Sequence, residues 1–453
     1  MRRRTKARFP TIHSRGVAVL LVALGLHGCA DERHEPPAVV IVLVDQLRHD
    51  SAERHLSGVR DLAQQGVVLD GMRAAAPWTY PSVISLLSGL YPQQHGADGH
   101  PHANLLASFD ASLPLLPAML GDAGYAAAAF VANPFLGDFQ PLHESFQHYD
   151  ISFVGSQGNL RGAGALVWTE RMFADSVNAA VLDHWDARGA AVEPEFTYVH
   201  YIDVHGPWEG APWLDEDAPW NDAAELYALA IEAMDDAVLE LYQAARARYG
   251  EDLLFVVTSD HGQALRDDEL VGSGPPWRQT KASLHDFNLR IPFYVLPSGF
   301  VGPPRRSDVP CSNVDVLPTL LDWLGAGAPE HLPGQSLLPV LDGVANSHAS
   351  PQYARMSAFG YRSDCVVHNG RKRVRWQDVD DGRVVATRTF DVETDPRELD
   401  PLALQPETEE PLAATLEALA DTAGIAYPAR FEDIDDEVLE RLRHLGYLQS
   451  EDD

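Results

Sequence analysis

The chain has 453 residues, 45% of them hydrophobic, and a formal net charge of −32. That length and apolar content supply one large α/β core with an appendage. So acidic a surface repels nucleic acid and anionic lipid, which excludes a general nucleic-acid role and means that an anionic substrate needs a local cationic site.

Before position 29 the basic residues Arg2, Arg3, Arg4, Lys6, Arg8 and Arg15 meet no acid, and the apolar run Gly16 to Leu24 leads to Leu26-His27-Gly28-Cys29. Small residues before a cysteine resemble a bacterial lipobox, so 1–28 is expected to be a lipoprotein signal peptide, Cys29 the lipidated residue and 29–37 a polar tether. The alternatives are an ordinary signal peptide or an uncleaved anchor. All three place the protein outside the cytoplasm. Ala30, rather than Asp, after the cysteine points to a lipid-anchored protein of the outer membrane and periplasm. Cys311 and Cys365 could pair in that compartment or be two buried thiols.

Ala38 to Val44 is a continuous apolar, mostly β-branched run, the pattern of a strand covered on both faces, and it ends at Asp45-Gln46-Leu47-Arg48. Next comes Ala76-Pro77-Trp78-Thr79-Tyr80-Pro81-Ser82-Val83, where two prolines fix φ around Thr79 and the following residues suit a first helical turn. Thr79 then either N-caps that helix or presents a hydroxyl at its positive end, an environment that favours an alkoxide and an anionic substrate. Strands are expected at Ala126 to Val131, before Asn133-Pro134, and at Phe196 to Tyr201, before Asp203-Val204-His205-Gly206. Ala224 to Tyr249 has helical spacing, with Leu226, Ala230, Met234, Val238 and Tyr242 on one face.

A second buried strand, Asp252 to Thr258, ends at Ser259-Asp260-His261-Gly262. Two strands thus each bring a carboxylate to one sheet edge, the second with an imidazole beside it. Oxygen and nitrogen donors from separate strand ends suit a divalent cation, although each Asp alone reads equally as a cap or turn residue. Past residue 346 the alternation in Arg371 to Trp376 and Val384 to Phe390 predicts hairpin strands, and Pro411 to Ala423 and Ile434 to Leu445 predict helices.

Taken in order, these segments resemble the sulfatase family of the alkaline-phosphatase superfamily. Val39 to Arg48 with Asp50 is similar to the family's opening strand and turn. Thr79 to Val83 through Tyr91-Pro92 and His95-Gly96 is similar to its nucleophile signature. Tyr201 to Trp208 resembles the substrate-histidine loop, Ser259 to Gly262 the second metal loop, and Lys281 with Leu289-Arg290-Ile291-Pro292 the substrate-lysine segment. Asp315 to Leu321 and Phe390 to Glu398 are similar to later landmarks. The resemblance implies an alkaline-phosphatase-like fold over 38–345, a mixed, mainly parallel sheet flanked by helices. It also implies a small four-stranded α+β subdomain over 346–453.

The same resemblance implies one divalent cation, Ca²⁺ or Mn²⁺ foremost, held by Asp45, Asp260 and His261 with Gln46 available as a fourth ligand. It puts Thr79 at the nucleophile position and His205 and Lys281 at the ester oxygens. Lys281 and Lys372 are the only lysines after the signal. Three positions depart from the family. Thr79 stands where Cys or Ser is converted to formylglycine, Val83 where an Arg follows, and Ala132-Asn133-Pro134 where a Lys-x-His is expected. Threonine cannot become the aldehyde hydrate, so the expected reaction is metal-assisted transfer of a phosphoester, of phosphodiester or phosphoglycerol type, through Thr79, with His205 protonating the leaving oxygen. The alternatives are a sulfatase acting through unmodified threonine on a sulfated glycan or small ester, and a surface lipoprotein that keeps the fold as a binding module.

Overall fold

The computed structural model describes residues 37–98, 107–137, 141–153, 160–161, 165–166, 173–190, 193–206, 208, 211–214, 222–265, 283–299, 301–344, 350–358, 360–403, 406–421, 427 and 430–431. The expected Cys29 and Lys281, and the helix expected over 434–445, lie outside them.

The strand Ala38–Val44 is fully buried along its length, as its apolar run requires, and it sits near the middle of an eight-stranded sheet. Across the sheet the order is Arg305–Ser307, Val67–Leu69, Phe293–Leu296, Leu253–Ser259, Ala38–Val44, Glu195–Tyr201, Ala126–Val131 and His148–Asp150. Ala38–Val44 runs parallel to both neighbours, Ala126–Val131 runs parallel to Glu195–Tyr201, and only Phe293–Leu296 is antiparallel to the strands beside it. This is the mixed, mainly parallel sheet expected from the sequence.

Successive side chains of the central strand enter opposite layers. Val39, Ile41 and Leu43 pack into a core that includes Tyr80, Val83, Ile84 and Leu87 of the helix Thr79–Ser88. Val40, Val42 and Val44 pack with Val177 and Val181 of the helix Ala174–Arg188 and with Ala230, Met234 and Val238 of the helix Ala223–Tyr249. Each such aliphatic side chain, removed from water, contributes roughly 2 kcal/mol before entropy is counted. The face expected on the long helix is the buried one, widened by Tyr227, Ile231 and Leu241, while Leu226 is only partly covered.

Four strands form a second, antiparallel sheet, Gln352–Ala358, Tyr361–His368, Arg371–Asp378 and Val384–Asp391, in that order. The boundary expected between 345 and 346 falls outside the described residues. Ala354, Met356, Cys365, Val374 and Phe390 cover Leu284, Leu289 and Trp78, so one face of this sheet closes over the residue preceding Thr79. Tyr353 and Val366 on the other face receive Leu412 and Leu416 of the helix Pro406–Ala420. That helix starts before the expected Pro411, which it holds inside at the loss of a single ladder hydrogen bond.

Cys311 and Cys365 are both buried and free, so the pairing left open by the sequence is not made. No helix among the described residues is long and apolar enough to cross a membrane.

Candidate active site

Four adjacent parallel strands release the chain at one edge of the sheet. Val44 lies beside both Ser259 and Tyr201, and Val131 beside His200, so the residues just after these positions converge. Asp45 and Asp260 follow their strands directly, Asn133 follows two residues after Val131, and His200 occupies the last turn of the Glu195–Tyr201 strand. All five residues, counting His261, are at most 2% exposed.

The turn Asp45 to Arg48 accounts for each of its backbone N–H groups with a different partner. Asp45 N–H donates to Tyr201 O (2.9 Å), Gln46 N–H to Asp260 Oδ1 (3.1 Å), Leu47 N–H to Ser259 Oγ (3.0 Å) and Arg48 N–H to Tyr227 Oη (2.9 Å). Gln46 takes φ 60°, one of three non-glycine residues with positive φ among the described residues. A left-handed non-glycine residue costs roughly 1–3 kcal/mol and persists where its surroundings over-determine it. The Gln46 N–H thus meets Asp260 at the site.

Asp260 Oδ1 also accepts His261 N–H (2.8 Å), leaving Oδ2 turned toward His261 Nε2 at 3.5 Å. His261 Nδ1–H donates to Gly262 O (2.6 Å), so the neutral ring presents the lone pair of Nε2 to the site. That Nε2 lies 3.9 Å from Asp45 Oδ1. The glycine is required by space, since a Cβ on Gly262 would fall 1.9 Å from Phe287 O.

Asp45 Oδ1 and Asp260 Oδ2 are buried and have no hydrogen-bond partner among the described residues. Unpaired carboxylate oxygens facing one another and an imidazole lone pair are costly in a dry site, and a divalent cation is the group that satisfies them together. The electrostatics agree. Burial and the charge of Asp45 push the Asp260 carboxyl up. Burial also works to raise Asp45, but the side-chain contact with His200 and the imidazoles of His205 and His261 around it outweigh it and bring Asp45 down to about 2. Asp45, His200 and Asp260 are close enough together to share an ion. A second such group, His49, Glu53 and Asp70, already pairs with Arg306 through both carboxylates.

Thr79 is fully buried and is the first helical residue of Thr79–Ser88; the extended Trp78 is the N-cap, so the capping alternative for Thr79 does not hold. Its Oγ1 lies 3.4 Å from both Asp45 Oδ2 and His261 Nε2. The helix is held to the end of the Leu253–Ser259 strand by Ser82 Oγ–H, which donates to Asp260 O (2.5 Å), and to the turn Asn313–Asp315 by Asn313 Nδ2, which donates to Ser82 O (3.0 Å). Val83, where the family carries Arg, belongs to the apolar core.

Two further residues join the site. Asn133 Oδ1 accepts Phe135 N–H (2.8 Å), which turns Nδ2 toward Asp45 Oδ2 and, at 3.4 Å, toward Thr79 Oγ1. A neutral amide donor therefore stands in the region of the missing Lys-x-His. His200 Nε2 lies 3.5 Å from Asp45 Oδ2, and its Nδ1 is hydrogen-bonded to Tyr198 Oη at 3.0 Å.

His205 is 2% exposed on the loop that follows Tyr201, with Nδ1–H donating to Gly206 O. That loop starts where Tyr201 lies beside Val44, the residue before Asp45. Asp203 holds that loop, its Oδ1 accepting Ala174 N–H (3.0 Å) at the start of the Ala174–Arg188 helix, and burial pushes its carboxyl up to about 7. Lys372 belongs elsewhere: it is buried between Asp286 and Glu398 under the second sheet.

Comparison with known proteins accords with this geometry. Residues 37–326, more than half the chain, match the Sulfatase family. The chain is 23% identical to a Δ4,5-hexuronate-2-O-sulfatase of Bacteroides thetaiotaomicron over 73% of its own length and 77% of that protein's. It is 24% identical to a choline-sulfatase of Rhizobium meliloti, covering 82% of this chain and 83% of the relative. Among solved structures, a phosphonate monoester hydrolase of Agrobacterium radiobacter superposes with a TM-score of 0.63 at 18% identity, over 86% of this chain and 95% of that one.

Proposed function

Since the chain belongs to the sulfatase family, with its divalent-metal hydrolase chemistry, we propose that it cleaves or transfers a phosphoester, of phosphodiester or phosphoglycerol type, through Thr79. The observation that carries this reading is the unmodifiable hydroxyl of Thr79, held 3.4 Å from Asp45 Oδ2 and from His261 Nε2 where the family places an aldehyde hydrate.

Asp45, Asp260 and His261 would hold the cation, Ca²⁺ or Mn²⁺. When bound it supplies Lewis-acid chemistry, lowering the pKa of the hydroxyl and neutralising substrate charge. Thr79 Oγ1 attacks phosphorus in line, the new P–O bond forms as the ester oxygen leaves, and the hydroxyl proton has an acceptor in Asp45 Oδ2. His205, with Nδ1 committed to Gly206 O, works through Nε2. As imidazolium it gives its Nε2 proton to the leaving oxygen; as neutral base it then takes the proton of the water or acceptor alcohol that releases Thr79. Asn133 Nδ2 donates to the attacked group's oxygen as it approaches Thr79. Lys281 would clamp the anionic oxygens and supply the local positive charge that the acidic surface demands.

Acid quenching during turnover of a phosphodiester, followed by peptide mass analysis, tests the covalent step. A phosphorus-bearing adduct on Thr79 is expected, and an adduct-free Thr79 at a time when product is accumulating in a burst would count against it. The relatives named as sulfatases favour a second reading, in which the same threonine attacks a sulfuric ester. The proposal also tethers the enzyme to the cell envelope through Cys29, so Cys29→Ser is expected to move it from the membrane fraction to the soluble one.

A further inference from the structure

We propose that Tyr227 is a positioning residue for the cation site, its hydroxyl clamping the strained turn that carries Asp45. The inference rests on the reading of Asp45, Asp260 and His261 as cation ligands.

Tyr227 lies in the first turns of the Ala223–Tyr249 helix and is 1% exposed, so its ring is part of the core and its hydroxyl is the one polar atom to be accounted for. The hydroxyl donates to Gln46 O (2.6 Å) and accepts Arg48 N–H (2.9 Å). It therefore bridges the two sides of Leu47 and closes the turn around the left-handed Gln46, whose φ is 60°. Arg48 is the N-cap of the short helix His49–His55, so its N–H has no partner within that helix and takes the phenol oxygen instead.

The conformation so fixed has a consequence at the site. With Gln46 left-handed, its N–H meets Asp260 Oδ1 at 3.1 Å, and Asp260 Oδ2 is left for the ion. Without the phenol, Gln46 is free to relax toward negative φ, which turns its N–H off Asp260 and moves the Cα of Asp45 that precedes it. Residues that orient ligands in this way typically govern metal affinity by tenfold or more on removal.

The test is a Mn²⁺ titration of the full-length metal-free protein, read by the free-ion electron paramagnetic resonance signal, for wild type, Tyr227→Phe and Tyr242→Phe. Tyr242 lies on the same helix and its hydroxyl donates to Pro297 O (2.5 Å), so it controls for the loss of a partly buried tyrosine hydrogen bond from that helix. The expected result is a Kd for Mn²⁺ raised about tenfold or more by Tyr227→Phe and unchanged by Tyr242→Phe. Faster amide exchange in the peptide spanning 43–50 should accompany it. In a Gln46→Gly background glycine takes positive φ without strain, so removing the Tyr227 hydroxyl should cost less affinity than in wild type; an equal cost would overturn the clamp. Equal Kd values for wild type and Tyr227→Phe would overturn it while leaving the cation site standing. A wild type that takes up neither Mn²⁺ nor, by calorimetry, Ca²⁺ would overturn both.

Discussion

Thr79 carries on Cβ a methyl group that a serine lacks, so that carbon cannot become an aldehyde or its hydrate, and the chemistry proposed here depends on the single hydroxyl oxygen. Thr79→Ala is expected to lose turnover by about a thousandfold or more while still binding Mn²⁺, whereas Thr79→Ser retains the oxygen and measurable activity. Asn133→Asp would place a third carboxylate beside Asp45 and remove the donor facing Thr79. Calorimetry should then show tighter Mn²⁺ binding and initial rates should fall; a faster enzyme would speak against the donor role. Asp45, Asp260 and His261 were legible because they follow strand ends, and Thr79 because two prolines flank it. Asn133 and His200 were not. Asn133 before Pro134 reads as a turn residue, and His200 as one more member of an alternating strand. Their approach to Asp45 exists only once Ala126–Val131 and Glu195–Tyr201 lie parallel in register.

At the scale of elements, the second sheet is fastened to the catalytic layer by buried charge. Lys372 on Arg371–Asp378 donates to Asp286 Oδ1 (2.8 Å) and Glu398 Oε1 (2.9 Å), and Arg73 pairs with Asp286 at 2.6 Å. Asp286 opens the segment whose Asn288 O accepts Gly262 N–H (2.7 Å), next to His261. Lys372→Met leaves two buried carboxylates with Arg73 alone, and a loss of about 3 kcal/mol or more is expected in denaturant unfolding. Burial and the neighbouring Asp286 charge raise the Glu398 carboxyl to about 7 against the pull of Lys372. A carboxyl whose pKa is higher folded than unfolded binds its proton more tightly in the native state. That contribution is full below the unfolded value and is lost as pH rises through about 7. Stability of the wild type should therefore fall relative to Glu398→Gln between about pH 5 and pH 8, and a constant difference across that window would contradict the assignment. The hairpin of this sheet was legible from alternation. The burial of Lys372 was not, because its partners lie 86 and 26 residues away in sequence. The basic hairpin spends Lys372 and Arg375 on internal pairs, the former with Asp286 and Glu398 and the latter with Asp364 and Glu417.

For the whole molecule, the parallel core was legible because buried parallel strands must be continuous apolar runs, and Ala38–Val44 and Leu253–Ser259 are such runs. The antiparallel insertion of Phe293–Leu296 was not, since four apolar residues carry no sign of strand direction. The charge of −32 acts on every anionic substrate that approaches. At low salt it slows encounter, so kcat/KM for an anionic diester should rise between about 10 and 150 mM NaCl as the field is screened. A falling kcat/KM would mean that the local cationic field at the site dominates instead. The measurement that bears most directly on the central claim is hydrolysis of bis-p-nitrophenyl phosphate and p-nitrophenyl sulfate by Mn²⁺-reconstituted wild type and Thr79→Ala, side by side. The account predicts diester turnover that disappears in Thr79→Ala and little or no sulfate turnover; sulfate cleaved in preference to the diester, or a diesterase indifferent to Thr79→Ala, would contradict it.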